Sequence, residues 1–283
     1  MNPMIVAEIG GNHLGSPIRA GELIRAARAS GADAVKFQCF TPEQMASPGI
    51  KIESGPWAGR DLLDLYRETH TPQWWYPDMF KHARELGMTP FASVFHPDDV
   101  DFLETLDCPI YKISSFEITD LPLIRHAANT GKKIIISTGM ATRGEIFDAI
   151  VAAGGQKRVP VLPTLLKCTS AYPAEPKDAN LKTMKTMAGL WGWTNVGLSD
   201  HSLTNAIPVA AAVLGASVIE KHLTLSRADG GPDAAFSLEP AEFGAMVRDV
   251  RAAVEALGEA KFGPTDAEAS SLPFRRKPGG KRG

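Results

Sequence analysis

Eight short apolar runs, rich in β-branched residues, constrain the fold of this chain more than any other feature. They cover residues 4–10, 34–40, 89–95, 110–114, 133–138, 164–170, 195–201 and 218–225. Each has the length of a strand buried on both faces. Helical patterns lie between most of them. Residues 17–31, 77–87, 120–131 and 205–215 end on Gly31, Gly87, Gly131 and Gly215, the residue type that closes helices in the left-handed conformation. Strand and helix alternating eight times predict an all-parallel sheet. Eight such units in 283 residues fit a single-domain α/β (β/α)8 TIM barrel better than an open doubly wound sheet.

The barrel is expected over residues 1–262, with its longest insertion at 41–76, between the second and third strands. That insertion holds Trp57, Trp74 and Trp75 and is expected to add helix and loop structure near one barrel end. The last helix pattern is 242–258. The basic tail that follows, 263–283, contains Pro and Gly and is expected to be flexible.

The formal net charge is −2, which points to no nucleic-acid or anionic-membrane partner. Cys39, Cys108 and Cys168 form no C-x-x-C pair and are too scattered for a disulfide framework. A reducing, cytoplasmic location fits that usage. The N-terminal "MNPMIVAEIGG" has no basic leader, so it does not read as a signal peptide. The longest apolar helix candidate, "IPVAAAVLGASVIE", falls short of the roughly 20 residues that span a bilayer.

Active sites of such barrels form at the C-terminal strand ends, so the polar residues there carry the functional reading. Strand one offers Glu8, and strand two offers Lys36 and Gln38. Strand three offers Ser93; strand four offers Lys112, Ser114, Ser115 and Glu117. Ser137 and Thr138 end strand five, and Lys167, Thr169, Ser170 and Tyr172 end strand six. Strand seven closes on Ser199, Asp200 and His201, and strand eight on Glu220, Lys221 and His222. A polar group inside an apolar strand is costly unless paired, and one in every strand points to a shared polar cavity.

The set divides by chemistry. Lys36 and Lys112, with Ser93, Ser115, Ser137 and Ser199, compose an anion site for phosphate or carboxylate. A lysine Schiff base is the alternative chemistry for such a lysine. His201 and His222 end consecutive strands, where two imidazoles can bind a divalent cation with open positions; hydrogen-bonded core histidines are the plainer reading. Ser199 and His201 share one strand face, while Asp200 points away to orient a neighbour or cap the next helix. Asn12 and His13 cap the following helix or line the pocket. His70, His82, His96 and His126 read as loop or helix-surface residues. In the loop 227–240, Asp233 and Ser237 are placed either to reach substrate or to cap the loop.

The runs "VAEIGGNHLG", "GADAVKFQ", "YKISSFEITDLPLI", "IIISTGMAT", "KCTSAYP", "VGLSDHS" and "IEKHLTL" followed by "GGPDAAFSLEPAEF" together resemble the sialic acid synthase (nonulosonate synthase) family. The likeness runs in order from about residue 5 to 258 and is nearest the pseudaminic acid synthase branch in "LLDLYRETHTPQWW", "SSFEITDLPLI", "LLKCTSAYPA" with "DANL", and "FSLEPAEF". The resemblance implies a transferase that condenses phosphoenolpyruvate with an N-acylated amino sugar, releasing phosphate. N-acetylneuraminate or legionaminate synthesis, or a non-catalytic sugar-phosphate-binding barrel, are the alternatives. It implies phosphoenolpyruvate binding by Lys36, Ser93, Lys112, Ser115, Ser137, Ser170 and Ser199. Ser170 stands where the N-acetylneuraminate branch has asparagine. His201 and His222 are implied to hold Mn2+ or Mg2+, with Glu8, Glu117 and Glu220 in catalysis and Gln38, Tyr172 and Asp233 on the sugar. A Schiff-base aldolase through Lys112 or Lys167 is the enzymatic rival. Family members continue into a C-terminal antifreeze-like domain that caps a partner's barrel; the sequence ends before one, so a homodimer or a separate capping chain is a further expectation.

Overall fold

The computed structural model describes residues 2–154, 162–190, 195–276 and 279–280. Eight strands close a parallel barrel in chain order: β1 (Met4–Glu8), β2 (Ala34–Cys39), β3 (Thr89–Val94), β4 (Ile110–Ile113), β5 (Lys133–Ser137), β6 (Thr164–Cys168), β7 (Val196–Asp200) and β8 (Val218–His222). β1 pairs with both β2 and β8, which completes the ring. The single-domain (β/α)8 expectation is therefore the architecture found.

The helices between the strands are α1 (Pro17–Ala29), α2 (Pro42–Met45), α3 (Leu62–Thr69), α4 (Tyr76–Glu85), α5 (Pro97–Glu104), α6 (Leu121–Asn129), α7 (Arg143–Gly154), α8 (Lys182–Leu190) and α9 (Ala206–Val213), with α10 (Pro240–Leu257) after β8. Local chemistry sets their starts. Ser16 accepts the Arg19 amide ahead of Pro17 in α1, and Asp120 accepts the Leu123 amide in α6. Each of the four expected glycines, Gly31, Gly87, Gly131 and Gly215, has positive φ just past its helix.

Both faces of the strands are buried, which is why they read as near-continuous apolar runs. Outward Phe37 of β2, for example, packs on Phe80 of α4 at 5.7 Å between ring centroids. Inward positions alternate with outward ones, and toward the C-terminal ends they turn polar. Gly197 on β7 has a specific reason to be glycine. A Cβ there would lie 2.4 Å from the Val218 carbonyl oxygen and 2.7 Å from Leu166 Cδ2. Gly197→Ala is expected to lower unfolding free energy by about 2–3 kcal/mol. A urea titration would show it as a lower midpoint at unchanged slope; an unchanged midpoint would mean that β7 and β8 can separate there without cost.

The segment 41–76 contributes α2, α3 and a short antiparallel bridge between Lys51 and Asp61. Asp61 holds this segment together: it caps α3 through the Leu63 amide and also accepts the Gly49 amide at 3.0 Å. Residues 259–276 are exposed throughout, and Asp266–Phe274 forms 3-10 turns; residues 277–278 and 281–283 of the expected tail lie outside the described residues. No helix among the described residues is long and apolar enough to cross a membrane.

Candidate active site

The strand registers bring the sequence-predicted groups together at one barrel end. Glu8 is level with Lys36, Ser93 with Lys112, and Ser199 with Glu220. Lys36 Nζ sits 2.7 Å from Glu8 Oε2, 3.1 Å from Glu220 Oε1 and 3.0 Å from Ser93 Oγ. Lys112 Nζ donates to Ser137 Oγ at 2.7 Å and to the Ile113 carbonyl at 3.0 Å. Both lysines are buried, but their surroundings differ. Burial alone would depress Lys36, and Glu220 and Glu8 more than reverse that, so its pKa is raised. Lys112 has no such pairing, and burial, with Lys36 nearby, pushes its pKa down. Burial pushes Glu8 up, aided by Glu220; Glu220 is instead held below its ordinary range, because Lys36 and Lys112 outweigh its burial.

Above the lysines lie the two histidines, with ring centroids 5.4 Å apart. His201 Nδ1 donates to the Thr169 carbonyl at 2.9 Å, and its side chain also bonds the Cys168 thiol. His222 is pushed well below its ordinary pKa by burial and by facing His201 and Lys36, so it is a neutral imidazole. Its Nδ1 is buried without a hydrogen-bond partner, as is Glu220 Oε2. Asp233 Oδ2 approaches His222 Nδ1 to 3.7 Å, and burial together with Glu8 pushes the Asp233 carboxyl up to about 7. His222 Nδ1 and Glu220 Oε2, both buried without a partner, are donors that suit a borderline divalent cation, whereas the burial of His201 is outweighed by the Cys168 thiol and the Thr169 carbonyl, which raise its pKa. Among the described residues no three His, Cys, Asp or Glu side chains are preassembled around one point.

A cavity of about 410 Å3 opens over these groups. Lys36, Gln38, Ser93, Lys112, Ser115, Glu117, Ser137, Tyr172, Ser199, His201, Glu220, His222 and Asp233 all line it. Glu8 lies beneath, fully buried, holding Lys36 and Gln38. Ser170 does not line the cavity; its Oγ rests 3.9 Å from Cys168 Sγ. Glu117 is anchored by the Ser114 hydroxyl, and burial raises its pKa.

Some sequence readings place differently. Asn12 does not cap α1; its amide donates to the Leu223 carbonyl and to Ser237 Oγ. His13 bonds Thr71 Oγ1 at 2.9 Å and accepts the Gly15 amide, away from the cavity. Ser237 is fully buried and donates to the Asp233 carbonyl, so it shapes the loop and does not reach substrate. Lys167 points outward and donates to the Cys168 carbonyl and Thr169 Oγ1, which removes it as a Schiff-base candidate. Asp200 orients a neighbour: it pairs with Lys221 at 2.5 Å on the outer barrel face.

Other contributors carried no functional signal in the sequence. Cys168 lines the cavity, and although burial would raise its thiol, His201, Ser115 and Lys112 hold it down to about 7. The Gly139 amide donates to Ser115 Oγ at 3.0 Å, an approach that a Cβ would block by meeting Ser170 Oγ at 2.4 Å. Phe236 packs on His222 at 5.0 Å and Tyr172 at 4.9 Å, and Tyr172 packs on His201 at 4.4 Å. The histidines thus sit in an aromatic surround. The 41–76 segment adds Met45, Ile52, Leu62 and Leu65 to the cavity lining as aliphatic surface, beside Trp57, Tyr66 and Thr69.

Comparison with known proteins agrees with this geometry. Residues 23–262 match the NeuB family. A pseudaminic acid synthase of Helicobacter pylori is 42% identical over 91% of this chain and 76% of its own length. An N,N'-diacetyllegionaminic acid synthase of Campylobacter jejuni is 36% identical over 97% of this chain and 83% of its own. The solved structure of an N-acetylneuraminic acid synthetase from Leptospira borgpetersenii superposes with a TM-score of 0.84 at 29% identity, covering 97% of this chain and 92% of that one. With most of its length matched and its buried lysines, serines and histidines gathered at one barrel end, the chain belongs to the NeuB family.

Proposed function

We propose that this barrel condenses phosphoenolpyruvate with an open-chain N-acylated amino sugar to give a nine-carbon nonulosonic acid and phosphate, pseudaminic acid being the product. The observation that carries this reading is the pair of buried lysines, each on a serine hydroxyl, in one cavity with two histidine side chains whose ring centroids are 5.4 Å apart. Identities of 39–42% to pseudaminic acid synthases support the branch.

The residues divide the work. Lys36 and Lys112, with Ser93, Ser115, Ser137 and Ser199, hold the phosphate and carboxylate of phosphoenolpyruvate by charge-assisted bonds; Ser170, set back from the cavity, is left out of this set. Its methylene carbon attacks the sugar aldehyde and forms the C–C bond. The aldehyde oxygen takes a proton, water adds to the former enol carbon, and that water's surplus proton leaves. The C–O bond to phosphate then breaks with its electron pair going to phosphate, the new hydroxyl gives up its proton as the product's carbonyl forms, and the departing phosphate takes up a proton. Glu8, Glu117 and Glu220 are the groups available to move these protons; Glu8, raised by burial, carries one most readily. Lys112, which has no carboxylate pairing, meets the charge growing on the departing phosphate. Gln38, Tyr172 and Asp233 orient the sugar. His201 and His222 are the residues that would hold Mn2+ or Mg2+, which supplies Lewis-acid polarisation of a substrate oxygen. The three free, buried cysteines support a reducing, cytoplasmic setting.

The test is phosphate release from phosphoenolpyruvate, a 2,4-diacetamido-trideoxyhexose and Mn2+. All three together are expected to be required, and chelation is expected to abolish release. Equal turnover of N-acetylmannosamine would overturn the branch assignment. Absence of condensation with any amino sugar would overturn the synthase, and a borohydride-trapped adduct would replace it with a Schiff-base aldolase.

A further inference from the structure

Much of the cavity lining that the 41–76 segment contributes is aliphatic, from Met45, Ile52, Leu62 and Leu65. Of the polar groups that Trp57, Tyr66 and Thr69 add to this lining, those of Thr69 and Trp57 are already engaged. Thr69 Oγ1 donates back to the Leu65 carbonyl at 3.1 Å, and Trp57 Nε1 donates to the Pro232 carbonyl at 2.9 Å. The latter bond also fastens the 41–76 segment to the loop after β8. Asp61 stiffens the segment from within by binding the Gly49, Leu63 and Asp64 amides. The wall is therefore braced at two points and presents aliphatic surface to the cavity that also holds the anion-binding lysines.

A sugar hydroxyl pressed against such a wall gives up its water without replacement. A methyl group, whether of a deoxygenated carbon or of an acyl substituent, gains burial there. We propose that this wall, Ile52 and Leu62 above all, is the specificity determinant of the barrel, selecting amino sugars that are deoxygenated and acylated at the end remote from the aldehyde. The inference rests on the synthase reading and adds to it which residues read the sugar. No lysine, serine or histidine of the reaction centre takes part in the choice.

Leu62→Ser tests it, because Leu62 is only half-buried and opens α3, where serine is tolerated. The readout is the ratio of kcat/KM for 2,4-diacetamido-trideoxyhexose to that for N-acetylmannosamine, the latter measured by competitive inhibition where turnover is too slow. The expected result is a fall in that ratio of about tenfold or more, with KM for phosphoenolpyruvate unchanged and Leu62→Met restoring the ratio. Should Leu62→Ser fail to fold, Ile52→Thr at the neighbouring position is expected to act in the same direction. A soluble variant that keeps the wild-type ratio overturns the inference and leaves the synthase reading standing. Wild-type protein that condenses neither sugar overturns both.

Discussion

Lys112→Met is expected to lower kcat/KM by about 10²–10³-fold, the scale of removing one buried group that stabilises developing charge. The side chain is 1% exposed and its ammonium bonds only Ser137 Oγ and the Ile113 carbonyl. Methionine nearly matches its shape, so the packing around it survives. The same substitution is expected to leave stability unchanged or to raise it. A buried lysine whose folded pKa is depressed binds protons less well than in the unfolded chain. It therefore costs stability at neutral pH, and that cost fades only as pH climbs toward the unfolded lysine range. Activity and thermal melting measured on one preparation check both halves. A variant that lost activity by unfolding would contradict the assignment.

Lys221→Met is expected to do the opposite. Lys221 is fully buried on the outer face of β8, in register with Asp200 of β7. Its ammonium also donates to the Ser202 carbonyl and hydroxyl, and Asp200 in turn accepts the Ser202 amide at 3.0 Å. Removing the cation strands a buried carboxylate, at a cost of about 3–5 kcal/mol. Chemical denaturation should show that loss, and Asp200→Asn added to Lys221→Met should recover part of it. An unchanged unfolding free energy for Lys221→Met alone would show that the pair is not what joins the ends of β7 and β8.

These two lysines also show how far the sequence could be read. Both stand out as charges inside apolar runs, and both were expected at strand ends. Their opposite roles depend on which barrel face each side chain takes, and that follows from register, not from composition. Lys112 and Glu220 share the inner face; Lys221, one residue on, faces the helices. The barrel itself was legible because strands buried on both faces leave uninterrupted apolar runs, each closed by a helix and a glycine. The lysines, serines and histidines were legible because polarity there is costly and conspicuous.

What was not legible is apolar or backbone in character. Ile52 and Leu62 look like packing residues in any sequence, and only the fold of 41–76 turns them toward the cavity. The Gly139 amide and the thiol of Cys168 carry no pattern that separates them from a turn and a small core residue. Ser237 and Asn12 stand beside functional neighbours in the sequence, yet the Asn12 amide donates to Ser237 Oγ at 2.9 Å, a contact between two buried side chains.

The measurement that bears most directly on the central claim is product analysis by mass spectrometry, run beside phosphate quantitation. The protein is incubated with phosphoenolpyruvate, 2,4-diacetamido-trideoxyhexose and Mn2+. The account predicts a nine-carbon nonulosonic acid formed in equal amount with phosphate, its mass the sum of the sugar and pyruvic acid. Phosphate released without that acid, or no turnover at all, would contradict it.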